Sequence, residues 1–145
     1  MRLREEDKER LIKYLDFLES ELEDYQVFAT LDWNTYRESK EKRRNVERWI
    51  ENIVNSSIDV AKILLASKEA SIPETYKDIL FYLGTIEGFD EDFGKAIAKW
   101  AKLRNIIVHE YLDIRWNNIK EFIKESEPIY RQLIQKVGNI LQMLN

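Results

Sequence analysis

The chain has 145 residues, of which 44% are hydrophobic and 34% are charged, a length and balance typical of one globular domain. Four glycines and two prolines leave little material for hairpins, and the lack of cysteine excludes disulfides, thiolate metal ligands and a cysteine nucleophile. A net charge of −4 argues against a broad, nonspecific nucleic-acid binder.

The first half of the chain predicts two helices separated by a turn. Apolar residues at steps of four and three predict a helix from about Glu5 to Tyr25; they are Leu11, Leu15, Leu18, Leu22 and Tyr25. The less regular residues 27–34 predict a loop or short turn. A long second helix is expected from about Thr35 to Ser67, with its apolar stripe between Val46 and Leu65.

The beginning of this second helix is basic. Six cations stand against three glutamates in residues 37–48, and they are Arg37, Lys40, Lys42, Arg43, Arg44 and Arg48. Two interpretations stay open for them. They form either a solvated helix face or an electrostatic footprint for phosphates, which needs several cations on one surface.

Caps and breaks predict the remaining helices. Pro73 suits the first turn of a third helix, whose apolar side carries Tyr76, Ile79, Leu80 and Leu83, and Gly84 and Gly88 then break the pattern. Asp90 is the expected N-cap of a fourth helix, from about Asp90 to Tyr111. Asp113 can cap a fifth, and Ser126 and Pro128 indicate a restart before the last apolar stripe.

These elements predict an all-α, up-and-down bundle of four to six helices, in a single domain over residues 1–145. The charged amino terminus lacks the apolar segment of a signal peptide, and no run reaches the roughly 18 apolar residues that span a bilayer. We therefore expect a cytoplasmic protein without a membrane segment.

The fourth helix contains an arginine in its apolar stripe. Arg104 falls on the same side as Phe93, Ile97, Trp100, Ile107 and Tyr111 at about 100° per residue. A core-facing guanidinium is costly unless it is paired or reaches the rim of a cleft. It either pairs with a carboxylate, such as Asp59 on the second helix, or extends to solvent, or serves a functional site.

His109, the single histidine, lies on roughly the opposite, polar side. Residues five apart stand about 140° from each other on an ideal helix, so Arg104 and His109 do not readily share one target. They converge only if the helix distorts near its end, or if a second copy of the chain supplies one partner across a two-fold axis. A ferritin-like metal site would need Glu-x-x-His, but Ile106 occupies the glutamate position, so no metal site or cofactor is expected.

The segment Arg104-Asn105-x-x-x-His109-x-Tyr111 resembles the Arg-x4-His-x-Tyr signature of the HEPN superfamily, specifically its HepT-like branch. Residues 46–50, 58–61 and 72–76 agree with that branch as well, so the resemblance covers roughly residues 10–140. It implies a helical homodimer with both signatures near the subunit interface. Members of this kind are metal-independent RNases that act as toxins and pair with a small nucleotidyltransferase antitoxin, MntA.

By this resemblance Arg104 and His109 are the catalytic pair, Asn105 is a supporting polar residue, and Tyr111 is the tyrosine to which the antitoxin attaches AMP. Histidine, with an ordinary pKa of about 6.5, serves as acid or base, and arginine provides a permanent charge for phosphate oxygens. The expected products are a 2′,3′-cyclic phosphate and a 5′-hydroxyl. Tyr111 is expected about two turns beyond Arg104 on the same helix face.

RNA binding by an acidic chain requires concentrated cations. We expect Arg43, Arg44, Arg48 and Lys102 to contact RNA phosphates around the dimer cleft. The alternative is a non-catalytic nucleotide-binding or interaction module that partners a minimal nucleotidyltransferase; a generic helical dimer without activity is the plainest option.

Overall fold

The computed structural model describes residues 1–144, and its regular elements in that range are helices and short 3-10 turns, without a strand. The helices are α1 (Glu5–Leu22), α2 (Tyr25–Phe28), α3 (Trp33–Glu38), α4 (Lys40–Ser67), α5 (Tyr76–Phe81), α6 (Glu91–Ala98), α7 (Leu103–His109), α8 (Leu112–Glu125) and α9 (Glu127–Met143). The 3-10 turns are Tyr82–Thr85 and Lys99–Lys102. The predicted all-α class is confirmed.

Helix α4 is the centre of the bundle. Its predicted apolar stripe is buried along its length, and α1, α3, α5 and α7 all pack against it. Helix α9 closes the bundle by packing on α1, α6 and α8. Each fully buried Leu, Ile or Val contributes about 1.5–3 kcal/mol relative to an exposed position, so α4 holds together the elements that surround it.

Two predicted boundaries in the first half of the chain are wrong. Helix α1 ends at Leu22, and Tyr25 begins the separate turn α2, because its ring packs edge-on to Trp49 with the centroids 4.7 Å apart. The long helix begins at Lys40, since Ser39 is extended and its hydroxyl accepts a hydrogen bond from the Lys42 N–H at 3.2 Å. Asp32, which lies in the predicted loop, is the N-cap of the short helix α3.

The third helix begins later than predicted. Thr75 caps α5 and accepts a hydrogen bond from the Asp78 N–H at 3.1 Å, so Pro73 lies before the helix. The two glycines do end this segment, and Gly88 has the positive φ of 93° that favours glycine. Asp90 is the N-cap of α6, as predicted, and accepts from the Phe93 N–H at 2.8 Å.

The predicted fourth helix consists of three pieces: α6, the 3-10 turn Lys99–Lys102, and α7, which ends at His109. Glu110 and Tyr111 are extended, so Tyr111 lies outside the helix and precedes α8 as its N-cap residue. Asp113 therefore lies in the first turn of α8 rather than at the cap. Ser126 and Pro128 restart the helix as predicted, with Ser126 between α8 and α9.

None of the helices in residues 1–144 combines the length and apolar character needed to cross a membrane.

Candidate functional site

Arg104 lies in the second position of α7, partly buried, with its guanidinium against α5. Its Cζ is 4.0 Å from the centroid of the Tyr76 ring, and Lys62 of α4 places its Nζ 5.6 Å from the same ring. Cation–π contacts of this kind contribute about 0.5–1 kcal/mol at exposed sites. The suggested pairing with Asp59 is wrong, since no carboxylate in residues 1–144 forms an ion pair with Arg104 and Asp59 accepts a hydrogen bond from the Tyr14 hydroxyl at 3.1 Å.

The Arg104 side chain borders a cleft of about 880 Å³ between α5, α6 and the 3-10 turn that leads into α7. We call it the Arg104 cleft. Its polar and aromatic lining residues are Glu74, Thr75, Tyr76, Lys77, Phe81, Lys95, Lys99, Lys102, Arg104 and Asn105. Five cations thus surround one cleft in a chain whose net charge is −4. Arg104, Asn105 and Lys102 all line this cleft, although helical spacing predicted Asn105 and Lys102 on the opposite side from Arg104.

His109 lies elsewhere. It is the last residue of α7 and is exposed, and Val108, Tyr111 and Ile114, which are near it in the chain, are exposed as well. Val108 is 64% exposed and Tyr111 82% exposed, high values for large apolar side chains. Within one chain, therefore, the arginine of the motif packs against α5 while the histidine is free to meet another molecule.

The interruption after His109 changes the expected position of Tyr111. The backbone of Glu110 (φ −97°, ψ 161°) and Tyr111 (φ −67°, ψ 158°) is extended, so Tyr111 does not continue the face of α7 that carries Arg104. The prediction that it lies two turns along the same helix face is wrong. Tyr111 is the most exposed of the large hydrophobic residues in residues 1–144.

A buried polar network fixes the beginning of α8, and sequence reasoning did not find it. The Arg115 Nε donates to the Glu47 carboxylate at 3.0 Å, its second nitrogen donates to the same oxygen, and the Tyr36 hydroxyl also donates to it. The backbone N–H of Arg115 donates to the backbone carbonyl of Tyr111 at 2.9 Å. The available signal was Glu47, a carboxylate in the buried stripe of α4.

The groups of this network raise the pKa values of Arg115 and Tyr36. Burial would lower the pKa of Arg115, but the hydrogen bonds and charge of Glu47 outweigh burial and raise that pKa. Burial, followed by the neighbouring carboxylate, raises the pKa of the Tyr36 hydroxyl well above its ordinary value. The hydroxyl therefore remains a donor, and α8 stays fixed to α4 one turn after Tyr111.

The basic residues of α4 lie at some distance from the Arg104 cleft. Arg43 donates to the carbonyls of Tyr36 and Arg37 at 3.2 and 2.9 Å, and so closes the end of α3. Arg44 and Arg48 are exposed. Lys62 of the same helix contacts the Tyr76 ring beside the cleft. Arg44 and Arg48 precede Lys62 by 18 and 14 residues, which places them about 21–27 Å away along the helix axis. Only Lys102 of the four predicted phosphate contacts lines the cleft, and the role of the other three stays a prediction.

Two comparisons of the sequence with known proteins give matches over most of the chain. The family model described as Ribonuclease HepT-like matches residues 13–137. The chain is 27% identical over 129 residues to the tRNA nuclease HepT of Aphanizomenon flos-aquae (strain 2012/KM1/D3), which covers 89% of this chain and 83% of that protein.

The fold is also similar to a solved structure of tri-AMPylated Shewanella oneidensis HEPN toxin in complex with MNT antitoxin. The TM-score is 0.76 at 16% identity, over 90% of this chain and 97% of that one. The family match spans most of the chain and includes the whole Arg104–Tyr111 motif. The chain belongs to the ribonuclease HepT-like family.

Proposed function

We propose that this protein is a metal-independent endoribonuclease, the toxin of a toxin–antitoxin pair, and that it acts as a homodimer in the cytoplasm. The observation that carries the proposal is the Arg104-x4-His109-x-Tyr111 motif, which runs from the first turn of α7 to just beyond its exposed end, in a chain of the HepT-like family. The name of the similar tRNA nuclease makes transfer RNA the first substrate to test. RNA cleavage by the purified protein in EDTA is the test.

The proposed chemistry uses only the two motif side chains and the substrate. The imidazole of His109 accepts the proton of a ribose 2′-hydroxyl, and the 2′-oxygen attacks the adjacent phosphorus. The bond from phosphorus to the 5′-oxygen breaks, and that oxygen takes up a proton to leave as a 5′-hydroxyl, while the other product carries a 2′,3′-cyclic phosphate. Arg104 donates to the phosphate oxygens and stabilises the extra negative charge of the transition state. Asn105, exposed beside Arg104, is a supporting donor.

Homodimerisation would bring an arginine and a histidine of the motif to one phosphate. Residues five apart stand about 140° from each other on an ideal helix, and here Arg104 contacts Tyr76 while His109 is exposed at the helix end, so the two point in different directions within one chain. We infer that a two-fold axis near the end of α7 places His109 of one subunit beside the Arg104 of the other. The exposed Val108 and Ile114 would be covered in that interface.

A complementation experiment tests the shared site. Arg104→Ala and His109→Ala variants are each expected to be inactive, but a mixed dimer keeps one intact site made of Arg104 from one chain and His109 from the other. With equal amounts and free exchange, half the dimers are mixed and about one quarter of the wild-type activity returns. If both residues act within one chain, no activity returns.

The proposed partner is a nucleotidyltransferase antitoxin of the MNT type, as in the complex of the similar toxin. The Tyr111 hydroxyl would attack the α-phosphorus of ATP, with pyrophosphate as the leaving group. Its exposure and its extended backbone make it accessible for such a transfer. The attached AMP adds bulk and negative charge two residues after His109, where it competes with the RNA phosphate.

A further inference from the structure

The charges of the Arg104 cleft are incompletely balanced. Lys95 pairs with Glu91 at 3.4 Å, and Lys99 pairs with Glu125 at 3.2 Å and with Glu121. By contrast, Lys77, Lys102 and Arg104 form no ion pair within residues 1–144, although the charge of Lys102 helps to lower the pKa of Glu121, after the hydrogen bond from Lys99. The one carboxylate among the lining residues is Glu74. An anionic ligand would relieve the mutual repulsion of these three cations.

The same cleft has a surface on which bases can stack. Tyr76 is 42% exposed, and the Arg104 guanidinium lies over its ring. Aromatic rings and guanidinium groups together are the usual platform for unpaired bases, whereas a free phosphate or a simple anion needs no ring. The volume of about 880 Å³ is at the upper end of the roughly 300–1,000 Å³ of small-ligand pockets, and the cleft is open to solvent.

From these features we propose that the Arg104 cleft binds a single-stranded segment of RNA next to the phosphate that is cut. Lys77 and Lys102 contact its phosphates, and the exposed part of the Tyr76 ring stacks a base, while Arg104 binds the phosphate that is cut. The proposal rests on the proposed ribonuclease function. It adds a subsite on α5 and on the turn before α7, away from the exposed end of α7 that carries His109.

Salt dependence of binding tests the two lysines. In a His109→Ala background, the affinity for a short fluorescent oligoadenosine is measured by anisotropy at several salt concentrations. Each lost phosphate contact on a single strand reduces the slope of log K against log salt by about 0.7, so Lys77→Ala with Lys102→Ala should make it shallower by about 1.4. The matched control is Lys13→Ala with Lys120→Ala, two exposed helical lysines outside the cleft, which should leave the slope unchanged.

A second pair of variants tests the stacking surface. Tyr76→Ala should weaken oligonucleotide binding about 5- to 150-fold, the range that corresponds to 1–3 kcal/mol per stacked base. Tyr82→Ala is the control, since Tyr82 is similarly exposed but does not line the cleft. Circular dichroism and thermal unfolding of each variant verify that the fold is intact.

The outcomes separate this proposal from the ribonuclease function. An unchanged slope and affinity in the cleft variants, with wild-type cleavage intact, would overturn the RNA subsite and leave the nuclease standing. Tight binding of an acidic peptide that the lysine variants lose, without an effect on RNA, would overturn it in favour of a protein ligand. If the wild type neither binds nor cuts RNA, the proposed function itself fails.

Discussion

Gly94 of α6 occupies a position where a side chain has no room. A Cβ at Gly94 would stand 2.3 Å from the Phe81 carbonyl oxygen of α5 and 3.2 Å from the Gly84 nitrogen. Ordinary contacts begin near 3.4 Å, so Gly94→Ala must push α5 and α6 apart by about 1 Å. The obstacle is backbone, and no rotamer change can relieve it.

Two opposing contributions determine how much stability Gly94→Ala loses. Overpacking a tight contact costs about 1–3 kcal/mol, and we place this case at the upper end because backbone must move. Replacing a helical glycine by alanine returns about 1 kcal/mol of helix propensity. The net expectation is a loss of about 2 kcal/mol in the free energy of unfolding, or about 4–8 °C in Tm. The separation of α5 from α6 should also loosen the Tyr76–Arg104 contact.

Urea denaturation followed by circular dichroism measures this difference. Gly138→Ala in α9 is the matched control, since no atom lies within 4 Å of its Cβ position and the substitution should stabilise the protein by about 0.5–1 kcal/mol. The two alanine variants should therefore differ by about 3 kcal/mol. Equal stability of the two variants would refute the packing argument.

Three further predictions concern the buried network, a helix cap and the proposed modification site. Glu47→Ala should destabilise the fold by about 1.5–3 kcal/mol, because it leaves the half-buried guanidinium of Arg115 and the buried hydroxyl of Tyr36 without their acceptor; chemical denaturation measures this. At Asp32, a hydrogen bond from a backbone N–H lowers the carboxyl pKa, so its stabilising effect is present above about pH 4 and is lost as pH falls through the lowered pKa. As the pH is lowered, Asp32→Asn should therefore lose less free energy of unfolding than the wild type. Tyr111→Phe should keep ribonuclease activity but accept no radiolabel from ATP in the presence of the antitoxin, whereas Tyr82→Phe should be labelled normally.

Each of these has an outcome that contradicts it. An exposed carboxylate on the first turn of α4, Glu41, gives the control for Glu47, and equal effects of the two alanine variants would argue against the network. Identical acid profiles of wild type and Asp32→Asn would remove the role of that cap. Undiminished labelling of Tyr111→Phe would place the modification on another residue.

The sequence was a reliable guide where local rules and burial agree. The stripe of α4 and the Asp90 cap are confirmed because apolar spacing and a single side chain determine them. The break at Ser39 and the turn at Lys99–Lys102 were not predicted, since both interrupt continuous helical periodicity. Ser39 is a local cap that the continuous pattern hid, and no cap or breaker residue marks the Lys99–Lys102 turn, so the spacing of apolar residues does not indicate it.

The candidate site was predictable only in part. The Arg104–Tyr111 motif gave the residues, but the contact of Arg104 with Tyr76 joins positions 28 apart in the chain, and nothing in local spacing indicates it. The extended backbone at Tyr111 stands one turn before Arg115, whose pairing with Glu47 joins two positions 68 apart in the chain and fixes α8 to α4. A buried carboxylate inside an apolar stripe was the one clue to that pair.

The most direct measurement is cleavage of transfer RNA by the purified protein in EDTA, with the chemical ends of the products determined. Wild type should give fragments with a 2′,3′-cyclic phosphate and a 5′-hydroxyl, and Arg104→Ala and His109→Ala should each give none. Arg10→Ala and Arg131→Ala, exposed arginines outside the motif, should retain cleavage, so that the loss in the two motif variants is specific to those residues and excludes a contaminating nuclease. Undiminished cleavage by His109→Ala, or no cleavage of transfer or messenger RNA by the wild type, would contradict the proposed active site.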